Sequence, residues 1–384
     1  CTGQLAESAF RFAVCSCGEF VVSNTFRTDS FDSRNGVYDS ASAGTAAAFG
    51  TNGSVNLAAT ATIGGSAWVA GAQGLGANAS APLSVAGNLR VAGPVASMST
   101  VTVDLDADIN GDLSATSVTI DGSLMQPGGA SITAPTQAIN AQASGVVTVT
   151  PPCDCGSSAA VDPAALVGTF ASLNDNAEAD FDPSVLANHT AGAVVDLPCG
   201  RLYAPSIGGT GALTLRVAGR TALFVGGDLA PDAAFSVTIV GDGELDLFVA
   251  GNLVSASSVS LGSAATPSRV RLYVGGSDPI ALSGGGTFAG FVYAPSARFT
   301  MSAAIEIFGG LFANGIVASD SLTVHYDDAI RDAASDCTPP TGCDSCNDCG
   351  GNACIGGACG ACVTDADCCA PLTCFEGVCS PAFE

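Results

Sequence analysis

Apolar and polar residues alternate in short runs along this chain, and the runs end on glycine. In "ELDLFVAGNL", Leu245, Leu247 and Val249 alternate with Asp246 and Phe248, and "GN" closes the run. Strict alternation is the period of a β-strand with one buried face, and a Gly-Asn or Gly-Gly pair ends it in a turn. Near-copies flank it: "ALFVGGDLAPDAA" from Ala222 and "RLYVGGSD" from Arg271. The aromatics Phe224, Phe248, Tyr273, Tyr293 and Phe312 recur at spacings of 24, 25, 20 and 19 residues. A period of this size marks a solenoid of stacked units. No helical pattern lies inside a unit, so each is a coil of short strands, and stacked coils pair as parallel strands ~4.8 Å apart. The expected fold is all-β: a right-handed parallel β-helix (β-solenoid), with Leu and Val inside and Gly, Asn and Asp at the corners. Glycine there supplies the positive φ that corners need.

The same grammar runs more loosely through the first half, in "ATIGGSAWVAG" (61–71), "LSVAGNLRVAG" (83–93), "ADINGDL" (107–113) and "VTIDGSL" (118–124). The chain therefore divides into an N-terminal anchor or cap segment (1–19), a first solenoid segment (20–150), a linker (151–199), a second solenoid segment (200–336) and a Cys-rich module (337–384). The linker carries one α-helix, at about 163–175. Asp162 is placed to cap it and Pro163 to begin it, with Leu166, Phe170 and Leu173 on one face. A solenoid end exposes unpaired strand edges that must be covered. This helix is expected to cover one end, and an amphipathic stretch from Phe10 to Val14 the other.

With Leu and Val inward, Phe224, Phe248, Tyr273 and Phe312 point outward. An apolar stripe is not left bare on a monomer. Its cover is the helix or the first segment of the same chain, a sister subunit for which these four are interface candidates, or a stacked sugar.

Composition sets limits on this picture. The 384 residues are 47% hydrophobic and 12% charged, enough apolar material for a core. No run of eighteen apolar residues marks a transmembrane helix. The net charge is −24, and all eleven basic residues are Arg. A phosphate backbone would be repelled, so nucleic acid is excluded as a partner. The acid suits solubility or a divalent cation. One motif fits the latter: "DADINGD" (106–112) matches the opening of a calcium loop, making Asp104, Asp106, Asp108, Asn110 and Asp112 weak calcium candidates. Its closing Glu is missing, since position twelve is Ser117. The preferred reading is a solvated acidic row on one strand face. No other cofactor is expected.

Seventeen cysteines, eleven of them in the tail, point to an oxidising compartment. Cys1 is read as a mature N-terminus and a lipidation candidate, the one expected route to a membrane. The remaining sixteen are disulfide candidates: Cys15, Cys17, Cys153, Cys155 and Cys199 upstream, and Cys337, Cys343, Cys346, Cys349, Cys354, Cys359, Cys362, Cys368, Cys369, Cys374 and Cys379 in the tail. Cys-x-Cys at 15/17 and again at 153/155 suggests a double staple closing the first segment. An odd number in the tail means that, if all sixteen pair, one bridge reaches the body or another molecule. "CVTDADCCAPLTCFEGVC" resembles small disulfide-knotted modules of the knottin type. A zinc site on Cys343, Cys346, Cys359 and Cys362 is the competing use; a secreted chain favours disulfides.

Candidate chemistry is sparse. The two histidines, His189 and His325, cannot make a three-His zinc site or readily a Ser-His-Asp triad. His325, in "TVHYDD", reads as a hydrogen-bonded residue of the solenoid's last strand. His189, in "NHT", reads as a loop residue. No Arg joins an acidic cluster within a repeat, as a polysaccharide lyase would want.

The stretches "LPCGRLYAPSIGGTGALTLRVAGRTALFVGGDL", "LYVGGSDPIALSGGGTFAGFVYAPSARFTMS" and "LTVHYDDAI" resemble an uncharacterised bacterial surface domain. That family is a parallel β-helix sometimes attached to pilus-assembly proteins and found in myxobacterial-type secreted proteins with Cys-rich tails. The resemblance covers about 155–337 well and 20–150 weakly. It implies a β-helix and a location outside the cell or on the outer-membrane surface, and it carries over no catalytic residue. The expected function is non-enzymatic: a rigid structural β-solenoid that self-associates head to tail into filaments. The alternatives are an adhesin that binds a surface glycan and a polysaccharide lyase or hydrolase.

Overall fold

The computed structural model describes residues 3–77, 81–156, 159, 161–187, 189–254, 259–282 and 286–332. In the tail it describes 353–355, 358–360, 362–364, 367, 372–375 and 378–381. Residues 4–331 form one compact unit and 332–384 belong to a second. The first unit is a parallel β-solenoid of about 13 turns.

Strand pairing shows how the turns are ordered. Leu202 stacks on Leu223, then Leu247, Leu272, Val292 and Leu311. Leu311 then pairs with Val14, not with a later residue. From Val14 the same inward column runs through Phe49, Ala67, Leu89, Ala107 and Leu124 to Gln142. Every member from Leu202 to Leu124 is at most 2% exposed. The two segments are thus one continuous stack in which the C-terminal coils come first. Strands Val14–Ser16, Phe20–Val22 and Phe26–Phe31 lie on Ile305–Ala318 and Leu322–Asp327. This junction is called the seam below.

This order corrects several expectations. The stretch from Phe10 to Val14 covers no end. Val14 begins a strand in mid-stack, and Phe10 is buried against Tyr273, Phe291 and Tyr293. Strand Leu322–Asp327 is the last of its segment in sequence but an interior rung in space. The chain must also return from Ser144 to Ala193, the far end of the stack. Residues 145–192 make that return as a strap outside the coils.

Two α-helices are present among the described residues: α1 (Gly3–Ala9) and α2 (Pro163–Phe170). Asp162 caps α2, accepting from the Ala165 N–H at 3.0 Å, and Pro163 opens it. α2 is shorter than the periodicity suggests: Leu173 lies beyond its end and is 59% exposed. Nor does α2 cover an end. It lies along the side of the coils, against strands Gly200–Ala204, Arg220–Val225, Glu244–Val249 and Val270–Val274.

The corners use glycine for two reasons, one of them the positive φ expected and the other crowding between coils. At Gly53 a Cβ would sit 2.1 Å from the Gly18 carbonyl oxygen, and at Gly71 it would sit 2.3 Å from the Gly53 carbonyl carbon. Neither has a left-handed φ. Vertical crowding between coils, not backbone handedness, excludes a side chain there. Gly209 is a case of the other kind, with φ +140°.

In the second unit, strands Ala353–Ile355 and Ala358–Gly360 pair antiparallel, as do Leu372–Phe375 and Val378–Pro381. Cys362 bonds to Cys374 and is buried with Ala353. So small an apolar cluster needs covalent support.

Candidate functional site

The outward column is continuous as well. It reads Tyr203, Phe224, Phe248, Tyr273, Tyr293, Phe312, then Cys15, Gly50 and Trp68 across the seam. Rings in one column of a parallel stack are held near the strand spacing and so lie face to face. Phe224, Phe248 and Tyr273 stack at 5.0 and 4.4 Å, with planes within 10°.

The four interface candidates are not a free surface. Phe224, Phe248, Tyr273 and Phe312 are 2, 0, 0 and 4% exposed. The strap and the N-terminal arm cover them. Phe170, the last residue of α2, stacks on Phe224 at 4.2 Å. The Val161 N–H lies 3.4 Å from the Tyr293 hydroxyl. Phe10 closes over Tyr273 and Tyr293. Further along, Phe12 packs edge-on against Trp68. Gly50 leaves room for the strap: a Cβ there would be 3.1 Å from Pro152 and 3.2 Å from Phe12. Alternation places these rings outside the coil interior, as the sequence indicates. Their cover comes from elsewhere in the same chain, a contact that no local pattern encodes.

The strap is fixed where it crosses the seam. Cys15 bonds to Cys153 and Cys17 to Cys155. Asn52 adds a third tie, accepting from the Cys153 N–H at 2.9 Å and donating to the Cys153 carbonyl at 2.8 Å. Arg11 reaches the Pro152 carbonyl and Asp154. Cys199 is a correction: it is free and exposed. None of the five upstream cysteines bridges to the tail. In the tail, Cys354 lies opposite Cys359 and Cys374 opposite Cys379 in register. Cys1, Cys337, Cys343, Cys346, Cys349, Cys368 and Cys369 lie outside the described residues, and the lipidation reading with them; the zinc reading is corrected at Cys362, whose sulfur is bonded to Cys374.

The seam carries the main polar cluster. His325, on Leu322–Asp327, stands opposite Asp29, on Phe26–Phe31. Its Nδ1 is 2.5 Å from Asp29 Oδ1 and its Nε2 is 3.0 Å from Glu306 Oε1. Each ring nitrogen thus faces a carboxylate oxygen. The other Asp29 oxygen accepts from the Tyr38 hydroxyl at 2.9 Å and from Arg27 Nε at 3.0 Å. Burial alone would raise the Asp29 pKa; the hydrogen bond and charge of His325, with Tyr38 and Arg27, outweigh it and hold the carboxyl below its ordinary value. Burial and Asp29 together push Tyr38 up to about 12. Two residues on, Asp327 is fully buried and accepts from the N–H groups of Ser33, Ser268 and Ala329. It thereby ties three distant stretches of chain.

Sequence reasoning found His325 but not its partners. Asp29 and Glu306 lie 296 and 19 residues away, and only the reversed stacking order brings Asp29 near. This cluster has the proton-bearing groups of an acid–base site, and the hydroxyls on its strand, among the described residues, are engaged with the backbone. Thr28 donates to the Ala47 carbonyl and Ser30 accepts from the Ala46 N–H. A cavity of about 410 Å³ lies nearby, lined by Ser30, Phe31, Asp32, Asp39 and Asp328 among others, without His325.

A second ion pair was hidden in the opening motif. Asp246 and Arg271 occupy neighbouring outward rungs and are buried, with Arg271 Nε 2.5 Å from Asp246 Oδ1. Arg271 Nη2 donates to Asp246 Oδ2 and to Glu244, and Nη1 to the Ser268 carbonyl. Burial works against the Arg271 charge, and Asp246 more than offsets it, raising its pKa above the ordinary guanidinium value. His189 caps an edge: its Nε2 contacts the Gly211 carbonyl at 2.7 Å, and its backbone bridges to Gly209.

The calcium candidates are not gathered into a cage. A corner at 104–106 splits the run into strands Val95–Val103 and Ala107–Ile109. Asp106 accepts from the Ser123 N–H and hydroxyl, Asp112 does the same with Ser131, Asp108 pairs with Arg90, and Asn110 donates to the Ala92 carbonyl. Each engaged carboxylate serves the coil above or below. No group of three or more metal-ligating side chains occurs among the described residues. No helix among them is long and apolar enough to cross a membrane.

Residues 166–333 match a family model described as a domain of unknown function (DUF7305). The matched span begins inside α2, takes in the rest of the strap and the second segment, and stops just past the seam strand. No curated protein matches the chain, and no solved structure does.

Proposed function

We propose that this chain is a non-enzymatic structural protein of the bacterial cell exterior, a disulfide-locked β-solenoid scaffold. The observation that carries the reading is the strap. The aromatic column, the surface best suited to stacking a sugar, is covered by the chain's own residues, and the cover is bridged twice at the seam. Groups that would serve catalysis elsewhere are occupied in joining coils. Disulfides fit an oxidising, extracellular setting.

The glycan-binding alternative loses its platform with the burial of the column. Head-to-tail polymerisation is not part of the proposal, because the strap takes up the outer edge of strand Gly200–Ala204 at one end of the stack. The test is a panel of acidic and neutral polysaccharides incubated with the oxidised protein, assayed for new reducing ends and for unsaturated sugars by ultraviolet absorbance. The expected result is none above a heat-denatured control. Turnover that disappears in a His325→Ala variant would overturn the reading in favour of the lyase or hydrolase.

A further inference from the structure

The two ends of the stack are finished differently. At the 193–209 end, the strap satisfies the outer edge of Gly200–Ala204. The Asp175 N–H donates to the Arg201 carbonyl, and the Arg201 N–H donates to Asp175 Oδ2 at 2.8 Å. The Asn176 amide accepts from the Tyr203 N–H and donates to its carbonyl. Leu186, fully buried, fills the opening. At the other end, strand Thr136–Ser144 pairs with Leu113–Gln126 on one side, and among the described residues no strand pairs with its outer edge. Eight of its nine residues are exposed, Ile139 being the exception.

An open edge is normally blunted by charge, proline or a bulge pointing outward. This strand contains no charge and no proline, and residues 122–153 hold no Asp, Glu, Lys or Arg in a chain of net charge −24. The inward positions change here too: Gln137 follows Val118 and Gln142 follows Leu124. Amides there tolerate water when the end is free and pair with other amides when it is covered.

We propose that this end is a self-docking surface: a second copy binds it about a two-fold axis, with Thr136–Ser144 antiparallel to its counterpart and Asn140 near the axis. Two features select a second copy. A two-fold contact brings identical patches together, so any charged patch repels itself, and this stretch is the uncharged part of a strongly acidic chain. The seam shows that a coil edge of this chain takes up an added strand, there in parallel: Val14–Ser16 lies on Ile305–Ala318, from the opposite end of the sequence. A two-fold contact uses the same edge on both copies and closes on itself, so association through this edge stops at two copies. The inference deepens the structural reading by naming its assembly contact.

The test is sedimentation equilibrium of the full oxidised chain over a wide concentration range. Wild type is expected to reach a dimer. Asn140→Lys and Asn140→Glu each set like charges across the axis and should weaken the dimer at least about tenfold, while an equal mixture of the two restores it. Three results overturn the proposal: a wild-type monomer throughout, Asn140→Lys dimerising as tightly as wild type, or a monomer whose 136–144 amides are already protected from hydrogen exchange by its own chain. Any of these leaves the structural reading intact. Conversely, polysaccharide turnover sinks that reading and leaves the dimer standing.

Discussion

The paired bridges at the seam make a quantitative prediction because they are so nearly redundant. Each closes a loop of 138 residues. In the chain-entropy account, a first bridge of that span restricts the unfolded chain by about 5 kcal/mol. The second then closes only the short ring through 15, 17, 153 and 155, a loop of about four residues worth about 2 kcal/mol. Removing either bridge by Cys→Ala pairs (Cys15 with Cys153, or Cys17 with Cys155) should therefore cost about 2 kcal/mol, and removing both about 7 kcal/mol. The excess of about 3 kcal/mol is a coupling that a double-mutant cycle reads directly. Urea unfolding of the oxidised proteins, with midpoints and slopes fitted, is the assay. If each single removal costs half of the double, the bridges act independently and the loop argument is wrong. If the double removal costs no more than a single one, the strap is held by packing on the aromatic column, and the staple contributes nothing to the folded state's margin.

Three further outcomes follow from the buried contacts. Asp246→Ala leaves the Arg271 guanidinium buried with only Glu244 opposite, and should destabilise by about 3 kcal/mol or more in urea; the double change Asp246→Leu with Arg271→Met should recover most of that. Asp29, whose pKa is lowered in the folded state, contributes stability that is present above the unfolded carboxyl pKa and lost as pH falls through the folded value. Acid titration should thus weaken the seam below about pH 4, and Asp29→Asn should flatten that part of the stability profile, while a profile unchanged by the substitution refutes the assignment. Gly50→Leu drives a side chain into Pro152 and Phe12 and should cost about 1–3 kcal/mol, with faster proteolysis between 145 and 162; normal stability would mean the strap does not sit on Gly50.

What could be read from the sequence was whatever repeats locally. Leu247, Phe248 and Gly251 announce strand, outward ring and corner within eight residues, so the coil and its inward face were legible. The stacking order was not. That Leu311 meets Val14 depends on which coil edge is complementary to which, and alternation is identical on both sides of every rung. The Cys-x-Cys pairs did signal a staple, because a doubled spacing at 15/17 and 153/155 is information at long range. Nothing comparable marked Asp29 for His325, or Asp246 and Arg271 for each other. Their spacing of 25 residues is simply the length of a turn, and a polar pair on adjacent outward rungs looks like solvated surface until the cover is known. The glycine corners were read for one of their two causes: Gly74 and Gly209 have the positive φ expected, but the crowding between coils at Gly53 and Gly71 cannot be seen in one coil.

The span matched by the family model bears on how such a chain is built. Residues 166–333 end just beyond Leu322–Asp327, a strand whose Leu322, Val324 and Tyr326 are fully buried here only because Phe26–Phe31 lies over it. The matched module alone would present that strand edge and an open apolar interior at one end, with the strap on the edge of Gly200–Ala204 at the other. An exposed edge of this kind invites pairing with another chain, so a module of this sort needs a cover, whether further coils or a partner. In this chain the cover is the first segment, and its own terminal coil gives up aliphatic inward residues for Gln137 and Gln142. The open end is thus moved to a coil that can bear water. That transfer, from an apolar edge at the seam to an uncharged amide-bearing edge at 136–144, is what the additional coils accomplish physically. It explains why the segment outside the matched span is a further length of the same solenoid and not an unrelated domain.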